Sequence, residues 1–321
     1  MAQHFLLSTK ARTLSLAQVL RMSDAEAYDA FKAIRFSENG GEAFCPKCGS
    51  VELYWFRTRN VWKCKGCGKE FSVTSGTLFS SRQLSIRDYL AAIAIFVNGA
   101  KGISALQLSR DLDVQYKTAF VLSHKLREAM ASEDRNATVS GHVEIDGMHA
   151  GGYIKPANHK EHRRDRRLAR NQNGKRMVVI AARERNGKTI TFVSKSEDAS
   201  VPTLQDRIEL GSTVYADEAS HWDEMHARYE TKRINHSKAY SDGDGCTNQC
   251  ESFFSRLRRA EIGTHHHIAG PYLASYAAEM DWREDRRRTS NGEQYLTLVG
   301  AALHHPVSRQ WKGYWQREKI A

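Results

Sequence analysis

Hydrophobic and polar positions change period several times along the chain. Over residues 1–40 the apolar side chains fall at helical spacing, Leu14, Leu16, Val19 and Leu20, then Ala27, Tyr28, Phe31 and Ile34. This predicts a short N-terminal helical segment, which Asn39-Gly40-Gly41 breaks. Ser85 stands as an N-cap before the apolar run Ile86–Val97, and Asn98-Gly99 closes that helix. Two further helices are expected over 103–111 and 115–130, separated by Leu112-Asp113-Val114. From His142 the texture becomes that of strands, at 142–147, 176–183, 189–194 and 213–217, with a helix-like stretch at 201–210 before the fourth. Three strands, a crossover helix and another strand predict a mixed α/β sheet. Helical stretches at 247–262 and 271–285 follow.

Length and charge narrow what such a chain does. At 321 residues it is long enough for about two domains. Its 48 Lys and Arg against 37 Asp and Glu give +11, with the excess clustered, which favours a polyanionic partner such as nucleic acid. The longest apolar run, Leu90–Val97, is far below the ~20 residues of a membrane span, and Lys10 and Arg12 sit where a signal peptide has its apolar region. A soluble, unexported protein with no membrane partner is expected.

Four of the six cysteines form Cys45-Pro-Lys-Cys48 and, after fifteen residues, Cys64-Lys-Gly-Cys67. Two CxxC pairs at this separation are the pattern of a closed structural Zn²⁺ site, with Cys45, Cys48, Cys64 and Cys67 as ligands. Gly49 and Gly68 follow each second cysteine, where a knuckle turn needs positive φ. Residues 51–56 and 60–63 between the pairs read as a hairpin, so 41–80 is expected to be a zinc ribbon. Cys246 and Cys250, four apart at a helix start, have no further ligand at a suitable spacing and read as packing residues.

The helices at 103–111 and 115–130 have the cadence of a helix-turn-helix. Ala119, Leu122 and Leu126 are expected to pack inward, with Gln115, Tyr116 and Lys117 facing a DNA major groove. A plain helical hairpin is the competing reading. The segment 160–176, between the first two strands, has eight Lys or Arg against two acids. Arg163, Arg164, Arg166 and Arg167 in it are expected to track DNA phosphates.

Three acids stand where metal chemistry is possible. Val143 and Ile145 share one strand face, so Glu144 and Asp146 share the other, and Asp146 stands at the strand end. The fourth strand repeats this with Val214 and Ala216 against Tyr215 and Asp217. Acids ending two strands of one sheet are too crowded to stay ionised without a cation. On the helix beginning at Thr247, Cys250, Phe253, Phe254 and Leu257 form the buried stripe, while Asn248, Glu251, Ser255 and Arg258 lie on another face. Glu251 there suits a metal, and Asn248 and Arg258 suit contacts to DNA.

The order of these features resembles insertion-sequence transposases of the ISXO-like type. The matching residues are the ribbon cysteines with Gly76-Thr-Leu-Phe79 after them, Glu144-Ile-Asp146 with Gly151-Gly-Tyr153, and Tyr215-Ala-Asp217. They continue with Ile234-Asn-His-Ser237, Thr247-Asn-Gln-Cys-Glu-Ser252 and Glu279-Met-Asp-Trp-Arg283. The resemblance spans roughly residues 30 to 290 and implies an RNase H-like core holding Asp146, Asp217 and Glu251 as catalytic ligands of Mg²⁺ or Mn²⁺. Asn248, one turn before Glu251, is the competing third ligand. It further implies cleavage and strand transfer on double-stranded DNA, at the element's ends and in target DNA. A homodimer or higher oligomer on DNA and a cytoplasmic, nucleoid-associated location in a bacterium are implied as well.

The expected fold class is therefore α/β, a mixed sheet flanked by helices and preceded by the ribbon and the helix-turn-helix. The expected divisions are a helical segment at 1–40, the ribbon at 41–80, the helix-turn-helix at 81–135, the catalytic domain at 136–290 and a C-terminal tail at 291–321. A zinc-ribbon regulator with an inactive core and an RNase H-like nuclease without strand transfer remain the competing functions.

Overall fold

A computed structural model describes residues 5–151, 161, 168–171, 174–234 and 246–316. They divide into two units, one of 5–133 with 287–316 and one of 134–286.

In the first unit, α1 (Leu16–Leu20) and α2 (Asp24–Arg35) each begin with a reciprocal capping box, Ser15 with Gln18 and Ser23 with Glu26. Each box satisfies two otherwise orphaned backbone N–H groups. The ribbon follows as β1 (Leu53–Phe56), β2 (Val61–Cys64) and β3 (Glu70–Phe71), antiparallel in the order β1-β2-β3. Trp62 is its core, buried with ring centroids 4.5 Å from Trp55, 5.6 Å from Phe71 and 5.8 Å from Phe36. Next come α3 (Ile86–Asn98), capped by Ser85 as expected, α4 (Ala105–Asp111) and α5 (Tyr116–Glu133). Ala119, Leu122 and Leu126 are buried, as their spacing predicts.

The second unit is built on a five-stranded sheet. β4 (His142–Ala150), β5 (Met177–Glu184) and β6 (Thr189–Ser194) are antiparallel neighbours; after α6 (Val201–Arg207) come β7 (Thr213–Asp217) and β8 (Glu230–Ile234). The spatial order is β6-β5-β4-β7-β8, with β7 parallel to β4 and β8 parallel to β7. The strand period sorts the side chains onto two faces. Val143, Ile145, Val178, Ile180, Val214 and Ala216 pack with Val201, Leu204 and Trp222 on one. On the other, Met148, Val179 and Ala181 pack with residues of α7 (Asn248–Ala260) and α8 (Leu273–Asp285). Glu144, Asp146, Tyr215 and Asp217 alternate onto this second face. β8 was not anticipated, because Glu230-Thr-Lys-Arg-Ile has a single buried residue and reads as polar. Charged side chains on an edge strand hide its hydrophobic signal while discouraging further strand pairing.

The chain ends in the first unit with α9 (Asn291–His304), inside the stretch read as a tail. Its Tyr295, Leu298, Val299, Ala302 and Leu303 recur at i, i+3, i+4, i+7 and i+8 and are all buried. Asn291 fastens its start by accepting the N–H groups of Thr13 and Leu14 at 2.9 and 3.0 Å. Beyond it Trp311 is buried and stacks on His124 at 4.2 Å. Among the described residues, no helix is long and apolar enough to cross a membrane.

Candidate active site and zinc centre

The four ribbon cysteines converge. Their Sγ atoms all lie within 4.8 Å of one another, with Cys45 and Cys67 3.6 Å apart and Cys48 and Cys64 3.5 Å apart. Thiolates ~2.3 Å from a tetrahedral zinc stand roughly 3.8 Å apart, so the set fits that ion. Gly49 and Gly68 have φ of 75° and 69°, the left-handed knuckle geometry their positions predict. The amide of Cys67 donates to Cys64 Sγ at 3.4 Å and is the main cause of holding that thiol down to about 6, toward the thiolate a metal requires.

The acids meet on the α7 face of the sheet. The register that sets Glu144 opposite Tyr215, continued two residues, carries Asp146 level with Asp217 on the neighbouring parallel strand. Burial pushes the Asp146 carboxyl up; the Gly147 amide, donating at 2.7 Å, opposes this, and the charges of Asp217, Glu197 and Glu251 raise it further, to about 7. An acid held this far from its ordinary range lacks a positive partner, and hard oxygen donors suit a divalent cation. The acids influence one another at longer range than the cysteines do: among the described residues only the cysteine set has every ligand atom within 4.8 Å. Asp217 is fixed from its own loop, its Oδ1 accepting the N–H of Ala219 at 3.2 Å. Arg233 of β8 donates to the carbonyls of Asp217 and Ala219 and pairs with Asp223 at 2.9 Å, clamping that turn.

Helix α7 carries the expected third group. Cys250, Phe253, Phe254 and Leu257 are its buried stripe, while Asn248, Glu251 and Arg258 are exposed, as the helical spacing predicts. Glu144 joins this helix to β4. Fully buried, it accepts the N–H groups of Gln249 and Cys250 on Oε2 at 2.8 and 3.3 Å, an anion at a helix N-terminus. Its Oε1 pairs with Arg185 Nε at 3.1 Å, and the Arg185 guanidinium lies 3.7 Å from the Tyr215 ring centroid. One buried carboxylate thus links the strand of Asp146, the strand of Asp217 and the helix of Glu251. Cys250 is completely buried and donates its thiol to the Glu144 carbonyl at 3.3 Å, a packing role; Cys246 accepts from Arg185 at 3.2 Å.

Three side chains that sequence reasoning did not select complete the surroundings. Glu197, between β6 and α6, lies against Gly147, where a Cβ would stand 2.2 Å from Glu197 Oε1. Glycine after Asp146 therefore admits a further carboxylate. Glu197 Oε1 is 3.8 Å from His149 Nε2, and its Oε2 is 3.2 Å from His221 Nε2. Burial lowers both imidazoles and, with the Asp217 charge, raises Glu197. Gly147 was the available signal, but Ser196-Glu-Asp198 follows no period that marks it.

Gln115, Tyr116 and Lys117 are exposed around the start of α5. Arg163, Arg164, Arg166 and Arg167 lie outside the described residues, as do Gly152 and Tyr153 and residues 235–237 of the family pattern.

Asp217 ends β7 as expected, whereas β4 runs on to Ala150 and Asp146 lies in its middle and not at its end. A mixed five-stranded sheet with these acids on adjacent parallel strands, preceded by a four-cysteine ribbon, fits an RNase H-like transposase architecture. Residues 138–285 match the ISXO2-like transposase domain and residues 22–70 the transposase zinc-ribbon domain. The chain thus carries a transposase zinc ribbon followed by a domain similar to those of ISXO2-like transposases. It is similar to an uncharacterized protein in transposable element ISH50 of Halobacterium salinarum, 24% identical over 295 residues that cover 88% of this chain and 98% of that protein.

Proposed function

We propose that the protein binds the terminal inverted repeats of its insertion sequence and catalyses metal-dependent DNA cleavage and strand transfer. The observation that carries this reading is the Asp146 carboxyl, half-buried, raised to about 7 and crowded by Asp217, Glu197 and Glu251. Asp146, Asp217 and Glu251 hold Mg²⁺ or Mn²⁺, for which carboxylate oxygens are better donors than they are for zinc. An ion held by these residues would supply the positive charge needed to activate a water or a DNA 3′-hydroxyl and to stabilise the leaving 3′-oxygen. Asp146 is central because three other acids, Asp217, Glu197 and Glu251, approach it from separate parts of the chain. Glu144 keeps β4 and α7 in position, and Arg233 fixes the turn that follows Asp217. Arg258, two turns from Glu251 on the exposed face of α7, binds a neighbouring phosphate, and Asn248 positions DNA at the helix start. Zn²⁺ in the ribbon is structural, and the ribbon with α4 and α5 recognises the element ends.

The test is strand transfer of pre-cut element ends into a target plasmid. Joined products in Mg²⁺ are expected with the wild-type chain. Cleavage of uncut ends without any joining makes the protein an RNase H-like nuclease, and end binding with neither reaction makes it a regulator.

A further inference from the structure

The start of α5 does more than face outward. Gln115 and Lys117 line a cavity of about 640 Å³ in the first unit, together with Lys125, Trp311, Tyr314 and Trp315. That volume is in the ~300–1,000 Å³ range of sites for compact ligands. The rings form a stepped wall, Trp311 4.9 Å from Tyr314 and Tyr314 edge-on to Trp315 at 5.2 Å. Trp315 is anchored to the helix, its Nε1 donating to the Lys117 carbonyl at 3.3 Å and its ring lying 5.4 Å from Lys117 Nζ. It nevertheless stays 38% exposed. Among the described residues lining the cavity there are three lysines and no acid. Lys125 is half-buried there, and burial lowers its ammonium against the opposing influence of Glu128.

We propose that this cavity takes one unpaired nucleotide of a DNA strand, its phosphate at Lys125 and its base against Trp315 and Tyr314. Cations with no lining acid call for an anion, and the exposed aromatic edge calls for a flat, stackable group; a nucleotide carries both. A base within a duplex is paired and stacked on its neighbours and has no free face to offer the rings, so the start of α5 holds a strand with an unstacked base instead of reading only an intact major groove. The inference rests on the DNA-binding reading above and deepens it.

The experiment measures binding of the full-length, zinc-loaded protein to a labelled DNA duplex, blunt or with a three-nucleotide thymidine overhang, by fluorescence anisotropy. The overhang is expected to tighten binding about tenfold, as stacking of one base does. Trp315→Leu and Lys125→Met should each abolish that gain and leave blunt-duplex affinity unchanged. Two substitutions on different elements guard against a local packing defect in either. Blunt-duplex binding with no overhang gain, a gain that both variants keep, or an equal loss on both DNAs overturns the nucleotide site alone. No binding to any DNA overturns the DNA reading beneath it.

Discussion

Glu144 accepts the backbone N–H of Gln249 at 2.8 Å, so a buried carboxylate on β4 seats the N-terminus of the helix that carries Glu251. The spacing between Asp146, two residues along the same strand, and Glu251, two residues along the helix, depends on that seat. Removing Glu144 also strips Arg185 of its 3.1 Å partner. Glu144→Ala should therefore destabilise the core by about 3 kcal/mol, the cost of breaking a buried pair. Glu144→Gln, which can still accept one N–H, should stay folded but need more Mn²⁺ for half-maximal cleavage. Thermal unfolding and a Mn²⁺ titration at fixed DNA check both; an unchanged Mn²⁺ requirement in a folded Glu144→Gln protein contradicts the positioning role.

The ribbon depends on its ion. Cys45→Ser or Cys64→Ser should release zinc and unfold the ribbon, since so small a core as Trp62 and its ring neighbours does not stand alone. Elemental analysis should find about one zinc per wild-type chain and less in each variant, with end binding reduced. Wild-type protein purified without zinc contradicts the assignment.

Asn248, Glu251 and Arg258 share the exposed face of α7 but differ in what they can hold. A carboxylate neutralises a divalent ion and an amide does not. Glu251→Gln should abolish cleavage, Asn248→Ala should only weaken it, and Arg258→Ala should lower DNA affinity with a shallower salt dependence, as one phosphate contact is lost. Cleavage rates at saturating Mg²⁺ and several salt concentrations separate the three. An active Glu251→Gln beside a dead Asn248→Ala moves the third ligand to Asn248.

The pH dependence follows from Asp146. Its carboxyl rises from 3.8 to about 7 in the metal-free fold. Between those values the native chain keeps a proton that the unfolded chain has released, so this group's contribution to stability falls as pH rises from about 4 to 7. A divalent ion must displace that proton. Mn²⁺ binding at pH 6 should release about one proton and at pH 8 close to none, read from calorimetry in buffers of different ionisation heat. A heat of binding at pH 6 that does not depend on the buffer contradicts it.

Much of this arrangement is legible in the chain because it rests on period and spacing. The CxxC pairs specify the ribbon, period two places Glu144 with Asp146 and Tyr215 with Asp217, and the stripe Cys250, Phe253, Phe254 and Leu257 orients α7. What escaped lacks such a signature. β8 is a polar edge strand whose role is carried by Arg233, and α9 packs far from its sequence neighbours. Glu197 comes to Asp146 only through the fold, across the space a missing Cβ leaves at Gly147. The partner of the buried Glu144, Arg185, is likewise set by a tertiary contact and by no local pattern.

The most direct measurement is single-turnover cleavage of DNA carrying an element end by Asp146→Asn and by Asp217→Asn, with end affinity measured in parallel. Binding rests on basic side chains and chemistry on the carboxylates, so both variants should keep affinity within about threefold while cleavage in Mg²⁺ and Mn²⁺ falls at least ~1,000-fold. Near-normal cleavage by either variant would contradict the assignment of the active site to these two carboxylates.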